Sequence, residues 1–200
     1  MSLHAYLNES ARLLESAAQS WSETLVGNAI STMASALAVG KPLLVCGNGG
    51  SACDAMHVTG ELVGRFLLER RPLNVICLAS NPAVLTAWAN DHSYETVFSR
   101  QTEAYGQPGG VLLGISTSGT SKNVIAAFHQ ARSMGMRTIA LTGEGGGSLA
   151  ALTDLLFAVP SRSTPLIQQV HLCLYHYFCC EIEGQLAGSA AEPRSVHVQA

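Results

Sequence analysis

Apolar and polar positions follow two patterns that succeed one another regularly along the chain. Continuous apolar runs of four or five residues predict buried strands at 42–45, 74–78, 111–115, 137–141 and 155–159. Longer segments with apolar residues at helical spacing separate these runs. Short strands that alternate with helices favour a parallel sheet covered on both faces. The pattern therefore predicts an α/β, doubly wound fold with five parallel strands, in which the run at 111–115 is central.

Helical spacing also extends beyond the region of the strands. Residues 3–38 lack proline and repeat apolar positions at helical intervals, which predicts one long helix or two as an N-terminal extension. A final helix is expected at 165–186, with Pro165 near its first position. We therefore expect a single domain at 1–186 and a mobile tail at 187–200, where residues are small, polar and aperiodic.

Composition narrows the classes of function. Hydrophobic residues make up 48% of the chain and charged residues 12%, which suits a sheet covered on both faces with apolar surface left for subunit contacts. The net charge is -3 and no basic block occurs, so a nucleic-acid partner is not expected. No apolar run approaches the length of a membrane span and the N-terminus does not resemble a signal peptide, so we expect a cytoplasmic protein. The six cysteines lie mostly in apolar segments, which predicts packed, reduced thiols.

The first strand leads into the segment CGNGGSACDAMHVTGE at 46–61. Its glycines allow close approach of the backbone to a ligand, and we expect Ser51 to cap the following helix. The start of a helix favours an anion such as phosphate. Residues 47–52 also match the dinucleotide pattern G-x-G-x-x-A, but the second strand ends in Leu-Ala-Ser without the acidic residue that binds ribose. The segment thus favours an anion site over an NAD site.

A second turn, STSGTS at 116–121, follows the central strand and precedes a helix. Five hydroxyl groups and the N–H groups at a helix start suit a phosphate, although a polar loop with a helix cap has the same composition. Parallel strands place both turns at the same edge of the sheet. Two such turns together favour a phosphate-binding function.

Two helices carry candidate chemistry. His57 and Glu61 are one turn apart and share a helix face, which fits a surface ion pair, a metal site or an acid–base pair. The final helix is apolar except for Gln168, His171 and His176 in IQQVHLCLYHYFCC. Together with His57 and Glu61, Gln168 and His176 would suit a divalent metal such as zinc or proton transfer. His171 is equally consistent with a buried core histidine and is left outside the site.

At these residues the chain resembles the sugar isomerase (SIS) domain family, and within it the bacterial phosphoheptose isomerases. The resemblance spans about 3–183 and rests on five ordered blocks: CGNGGSACDAMH with Glu61 following, AND at 89–91, VLLGISTSGTSKNV, IALTGEGGG and IQQVHLCLYH. It implies a homotetramer with active sites at subunit interfaces. It also implies conversion of sedoheptulose 7-phosphate to D-glycero-D-manno-heptose 7-phosphate, a step toward ADP-heptose and the lipopolysaccharide core.

The resemblance also implies roles for individual residues. Glu61 matches the base and His176 the acid. The positions matching zinc ligands in some members are His57, Glu61, Gln168 and His176. The positions matching substrate contacts are Asn48, Gly49, Gly50, Ser51, Glu61, Asn90, Asp91, Ser116, Thr117, Ser118, Ser121 and Gln168.

Three positions depart from the pattern of the family. Leu166 and Gln169 stand where relatives commonly carry Arg and Glu, and Gly110 stands where many carry Asp. These changes bear on helix anchoring, an interface or a turn more than on the chemistry. The alternative function is that of a non-catalytic SIS protein, either a regulator that binds sugar phosphates or a partner of the replication initiator. The presence of both Glu61 and His176 favours the enzyme.

Overall fold

The computed structural model describes residues 1–187, and its centre is a five-stranded parallel sheet. The strands are β1 Leu43–Gly47, β2 Val75–Cys77, β3 Val111–Ser116, β4 Arg137–Thr142 and β5 Leu155–Ala158. They pair in the order β2-β1-β3-β4-β5, which confirms the predicted sheet and places β3 in the middle. The order reverses between β1 and β3, the point where doubly wound sheets bind ligands.

Seven α-helices surround the sheet in this part of the chain. They are α1 Leu3–Ser20, α2 Glu23–Ala38, α3 Gly50–Val63, α4 Pro82–Asp91, α5 Val97–Tyr105, α6 Lys122–Ser133 and α7 Thr164–Ala187. The N-terminal extension is two helices, because Ser22 caps α2 after a break at Trp21. Two 3-10 turns, Tyr94–Thr96 before α5 and Gly147–Leu152 after β4, add to these helices. None of the helices within 1–187 is long and apolar enough to cross a membrane.

Each strand packs against helices on both faces, which explains its continuous apolar sequence. Leu43 and Val45 of β1 point into a core shared with α2, α3 and α7. Leu44 and Cys46 point to the opposite core, formed with α5 and α6. All six cysteines are free thiols, as expected, but Cys53 and Cys173 are exposed instead of packed. Of the predicted tail, Ala187 is the last residue of α7, and 188–200 lie outside the described residues.

The helices differ in how their first turns are capped. Ser2, Ser22 and Asn81 accept backbone N–H groups at the starts of α1, α2 and α4. Helices α3 and α6, which follow β1 and β3, begin without a side-chain cap. The predicted Ser51 cap is wrong, because Gly49 with φ +56 starts the helix earlier and leaves Ser51 buried in the first turn. Helix α5 also starts without a side-chain cap, but it continues from a 3-10 turn. The uncapped starts of α3 and α6 lie at the point where the strand order reverses.

Candidate active site

The ends of β1 and β3 form one surface, which we call the strand-end patch and define as residues 48–51 and 116–121. Asn48 and Asn123 join its two halves, since each side-chain amide donates to the other's oxygen at 2.9 and 2.8 Å. The Tyr94 hydroxyl also donates to Asn48 Oδ1 at 2.8 Å. Neither Asn123 nor Tyr94 was among the predicted site residues. The available signal for Asn123 was its place two residues after the STSGTS turn, at the start of a predicted helix.

The hydroxyls of the second half of the strand-end patch turn toward one another. Ser116 Oγ and Ser121 Oγ are 2.9 Å apart, and Ser118 Oγ accepts the Thr120 N–H at 3.2 Å. Gly119 closes the turn with φ +64, where an added Cβ would collide with the Gly146 carbonyl. The Ser121 hydroxyl contacts Ser116 instead of capping α6, and of the first N–H groups of α6 that of Val124 donates to Asn123 Oδ1 at 3.0 Å. This arrangement suits a phosphate group.

Asn90 and Asp91 lie at the end of α4 and are exposed. Asn90 Nδ2 donates to Asp91 Oδ1 at 2.9 Å. Asp91 also lines a surface cavity of about 650 Å³ beside Trp88, His92 and Arg100. Within the described residues no hydrogen bond joins the His92 ring to a carboxylate of this cavity, so we place the chemistry at the histidines of α3 and α7. The roles of Asn90 and Asp91 in sugar binding remain predictions.

The second group of polar side chains, which we call the helix-face patch, consists of His57, Glu61 and His176. His57 Nε2 lies 3.1 Å from Glu61 Oε1 and 3.3 Å from His176 Nε2. One ligand atom from each residue lies within 4.8 Å of the others. Two atoms that each lie about 2.0–2.1 Å from a tetrahedral zinc ion are about 3.3 Å apart. The two separations from His57 Nε2 thus fit the ligands of one metal ion.

Tyr175 and Asp54 extend this patch through the Nδ1 side of the His57 ring. The Tyr175 hydroxyl is 3.0 Å from His57 Nδ1 and 3.4 Å from Asp54 Oδ1. Burial raises the pKa of Asp54, while the Tyr175 hydroxyl and His57 lower it. Burial also raises the pKa of Tyr175, so its hydroxyl keeps its proton and can donate it to Asp54. His57 Nδ1–H can then donate to Tyr175, which leaves Nε2 free to bind a metal.

Gln168 lies at the strand-end patch. A Cβ atom on Gly50 would collide with the Gln168 amide, so the side chain of Gln168 rests on the start of α3. Gln168 and His176 are eight residues apart, which is about 12 Å along the axis of α7. Gly50 and Glu61 are similarly separated by eleven residues, or about 16 Å along α3. The structure thus brings His57, Glu61 and His176 together, and Gln168 as a fourth ligand stays a prediction.

His171 belongs to neither patch. It is fully buried, and its Nε2 lies 3.1 Å from the carbonyl oxygen of Thr142 at the end of β4. Burial lowers the pKa of His171 to about 4, while the bond to Thr142 raises it. The interpretation of His171 as a buried core histidine is confirmed.

Comparison with known proteins identifies the fold and the family. A family model described as SIS domain matches residues 5–143. The chain belongs to the SIS domain family. Phosphoheptose isomerase from Crocosphaera subtropica is 53% identical over 76% of this chain and 77% of its own length, and that from Geotalea daltonii is 44% identical over 93% and 96%. The structure of phosphoheptose isomerase GmhA from Neisseria gonorrhoeae superposes with a TM-score of 0.85 and 38% identity, covering 91% of this chain and 97% of that one.

The segment matched by the family model includes only part of the candidate site residues. Residues 5–143 include the strand-end patch together with His57 and Glu61, but they end before α7. His176 and Gln168 therefore lie outside the match. The likeness to the Neisseria structure, which covers nearly all of the chain, extends to the region of α7. The helix-face patch is thus formed across the boundary of the matched segment.

Proposed function

We propose that this SIS-domain chain is a phosphoheptose isomerase that converts sedoheptulose 7-phosphate to D-glycero-D-manno-heptose 7-phosphate. The shared name of its relatives supports the substrate class. The observation that carries the proposal is the helix-face patch, because a carboxylate and an imidazole from separate helices meet there at 3.1 and 3.3 Å from His57. We propose that the reaction takes place in the cytoplasm and supplies heptose for the lipopolysaccharide core.

The reaction moves one proton between neighbouring carbons. Glu61 takes a proton from C1 of the ketose while His176 donates a proton to the C2 carbonyl oxygen, which gives an enediol. Glu61 then returns its proton to C2, and His176 takes the proton from the C1 hydroxyl as the aldehyde forms. Ser116, Thr117, Ser118, Ser121 and the first N–H groups of α6 hold the phosphate at the other end of the sugar.

Zinc is the cofactor that we propose for the helix-face patch. His57, Glu61 and His176 would hold it. Gln168 lies about 12 Å from His176 along α7, so a fourth ligand at this position would come from a second copy of the chain. When bound, zinc would polarise the substrate carbonyl and stabilise negative charge on the enediolate. A carboxylate has two oxygen atoms, so Glu61 can contact a metal with one and transfer a proton with the other.

A homotetramer with active sites between subunits is the proposed assembly. The two patches are about 16 Å apart along α3, whereas the six C–C bonds of a heptose and the two bonds of its C–O–P link, about 1.5 Å each, cannot exceed about 12 Å. This difference favours a site that combines the strand-end patch of one subunit with the helix-face patch of a second copy.

Isomerase activity on sedoheptulose 7-phosphate, measured on metal-stripped and zinc-loaded protein, tests the function. We expect turnover in at least one of the two forms. Wild-type protein that binds the heptose phosphate without turnover in either form would support the alternative, a non-catalytic regulator or a partner of the replication initiator.

Mixing two inactive variants tests the assembly. Ser121→Ala weakens the phosphate site and Glu61→Gln removes the base, so each homo-oligomer is expected to have little activity. If the patches combine across subunits, unfolding and refolding the two variants together restores sites that carry both intact patches. Activity that stays at the level of the unmixed variants would show that each site lies within one chain.

A further inference from the structure

Glu183 is a fully buried carboxylate near the end of α7 that the proposed chemistry does not use. It accepts three consecutive backbone N–H groups, from Phe66 at 3.0 Å, Leu67 at 2.6 Å and Leu68 at 2.8 Å. Burial alone would raise the pKa of Glu183, but these three bonds and Arg70 hold it below its usual value. Glu183 is therefore ionised at neutral pH and fixes the segment that follows α3.

Arg70 is the partner of Glu183. Its Nε lies 3.1 Å from Glu183 Oε1, and both side chains are 1% exposed. The Nε–H does not point at the oxygen closely enough for a hydrogen bond, so this contact is an ion pair. The other guanidinium nitrogens donate to backbone carbonyls, Nη2 to Glu61 at 2.8 Å and Nη1 to Gly64 at 3.1 Å. The last carbonyls of a helix lack partners within the helix, so Arg70 caps α3 at the residue that carries the proposed base.

The same segment also reaches His176. The ring of Phe66 stacks on the His176 ring with centroids 5.6 Å apart and an interplanar angle of 25°. Glu183 follows His176 by seven residues, two helical turns, so both lie on one face of α7. Glu183 thus binds the backbone of Phe66, which packs against the proposed acid His176. Through Arg70, Glu183 also fixes the backbone of the proposed base Glu61.

We propose that Glu183 and Arg70 are positioning residues that fix the distance between Glu61 and His176. This inference rests on the proposed function for the roles of those two residues. Buried ion pairs often add little net stability compared with apolar side chains of similar size, so stability alone is a weak reason to place one here. Arg70 contacts the backbone of Glu61, and Glu183 contacts the backbone of Phe66, which packs on His176. These contacts explain the buried pair by its effect on the geometry of the site.

Glu183→Gln and Arg70→Lys test this role. Glutamine keeps the size of Glu183 but turns an NH₂ group toward backbone N–H groups. Lysine keeps the charge of Arg70 but cannot donate in three directions as a planar fork. We expect each variant to lose about 100-fold in kcat, since small displacements of catalytic groups are that costly, while KM changes by less than about threefold. Zinc affinity, measured by competition with a chromophoric chelator, is expected to fall about tenfold.

Glu69→Gln is the matched control. Glu69 lies in the same segment, is 85% exposed and pairs only with the exposed Arg65, so its loss should leave kcat and zinc affinity as in the wild type. Wild-type kcat and zinc affinity in Glu183→Gln would overturn the inference.

Phe66→Leu keeps the buried Arg70–Glu183 pair and removes only the ring that stacks on His176. This variant tests the inference even if Glu183→Gln and Arg70→Lys do not fold. A fall in kcat at unchanged KM supports the inference, and an unchanged kcat overturns the connection to His176. If the wild type has no isomerase activity, the proposed function fails. The zinc affinities of Glu183→Gln and Glu69→Gln then still decide whether the buried pair positions the helix-face patch.

Discussion

The strand-end patch and the helix-face patch are built in different ways. The strand-end patch consists of turns, a glycine with φ +64 and helix starts without side-chain caps, so the backbone makes most of it. The helix-face patch consists of three side chains, two of which are 119 residues apart in sequence. A patch made by the backbone depends on local sequence, whereas a patch made by side chains depends on how α3 and α7 pack. Substitutions should therefore damage one patch and spare the other.

Glu61→Gln should separate the functions of the two patches most strongly, because it should lower kcat and leave binding of the sugar phosphate intact. The amide cannot act as a base, and general acid–base groups contribute about 10²–10⁴-fold, so we expect kcat to fall about 10³-fold. The phosphate-binding residues are untouched, so the dissociation constant for the sugar phosphate, measured by titration calorimetry, should change little. Activity that survives in this variant would remove Glu61 from the role of base.

Gly119→Ala should damage the strand-end patch alone. A methyl group at this position meets the Gly146 carbonyl, and the backbone is already in the left-handed region. We expect binding of the sugar phosphate to weaken at least about tenfold, or about 1.4 kcal/mol, at unchanged zinc affinity.

Gly109→Ala is the control for Gly119→Ala. Its φ is +80, but nothing lies within 4 Å of the added Cβ, so it shares the backbone strain without the collision. Equal binding by the two variants would show that backbone strain, and not the shape of the turn, accounts for the loss.

The sequence predicts the strands and the two turns well because both depend on local patterns. It also places His57, Glu61 and His176 together, since helical spacing and the resemblance both point to them. It misses features that arise from packing between distant segments. The Asn48–Asn123 pair joins residues 75 apart, and Arg70 in the segment after α3 contacts Glu183 of α7. The expected Ser51 cap fails for a local reason, because Gly49 starts the helix first.

Tyr175→Phe tests the support of the helix-face patch. Without the hydroxyl, His57 Nδ1 loses its partner and the tautomer that binds metal through Nε2 is less favoured. We expect zinc affinity to fall about tenfold, measured by chelator competition, with phosphate binding unchanged. Tyr177→Phe, at an exposed position of the same helix, is the control and should behave as the wild type. Equal zinc affinities in the two variants would rule out a role for the Tyr175 hydroxyl.

His171→Gln should touch neither patch and should change only the acid stability of the fold. The pKa of His171 is about 4 in the folded protein and about 6.5 in an unfolded chain, so the unfolded state binds the extra proton between these values. Stability is therefore highest above about pH 6.5 and falls as the pH drops toward 4, by up to about 3 kcal/mol from this residue. Glutamine places an amide nitrogen near the Nε2 position and does not titrate, so the variant should lose this part of the slope in urea unfolding at pH 7 and pH 5. His129→Gln, at an exposed position of α6, should keep the wild-type slope. If both variants keep it, another group accounts for the acid sensitivity, and the buried histidine of α7 is not the one that resists protonation.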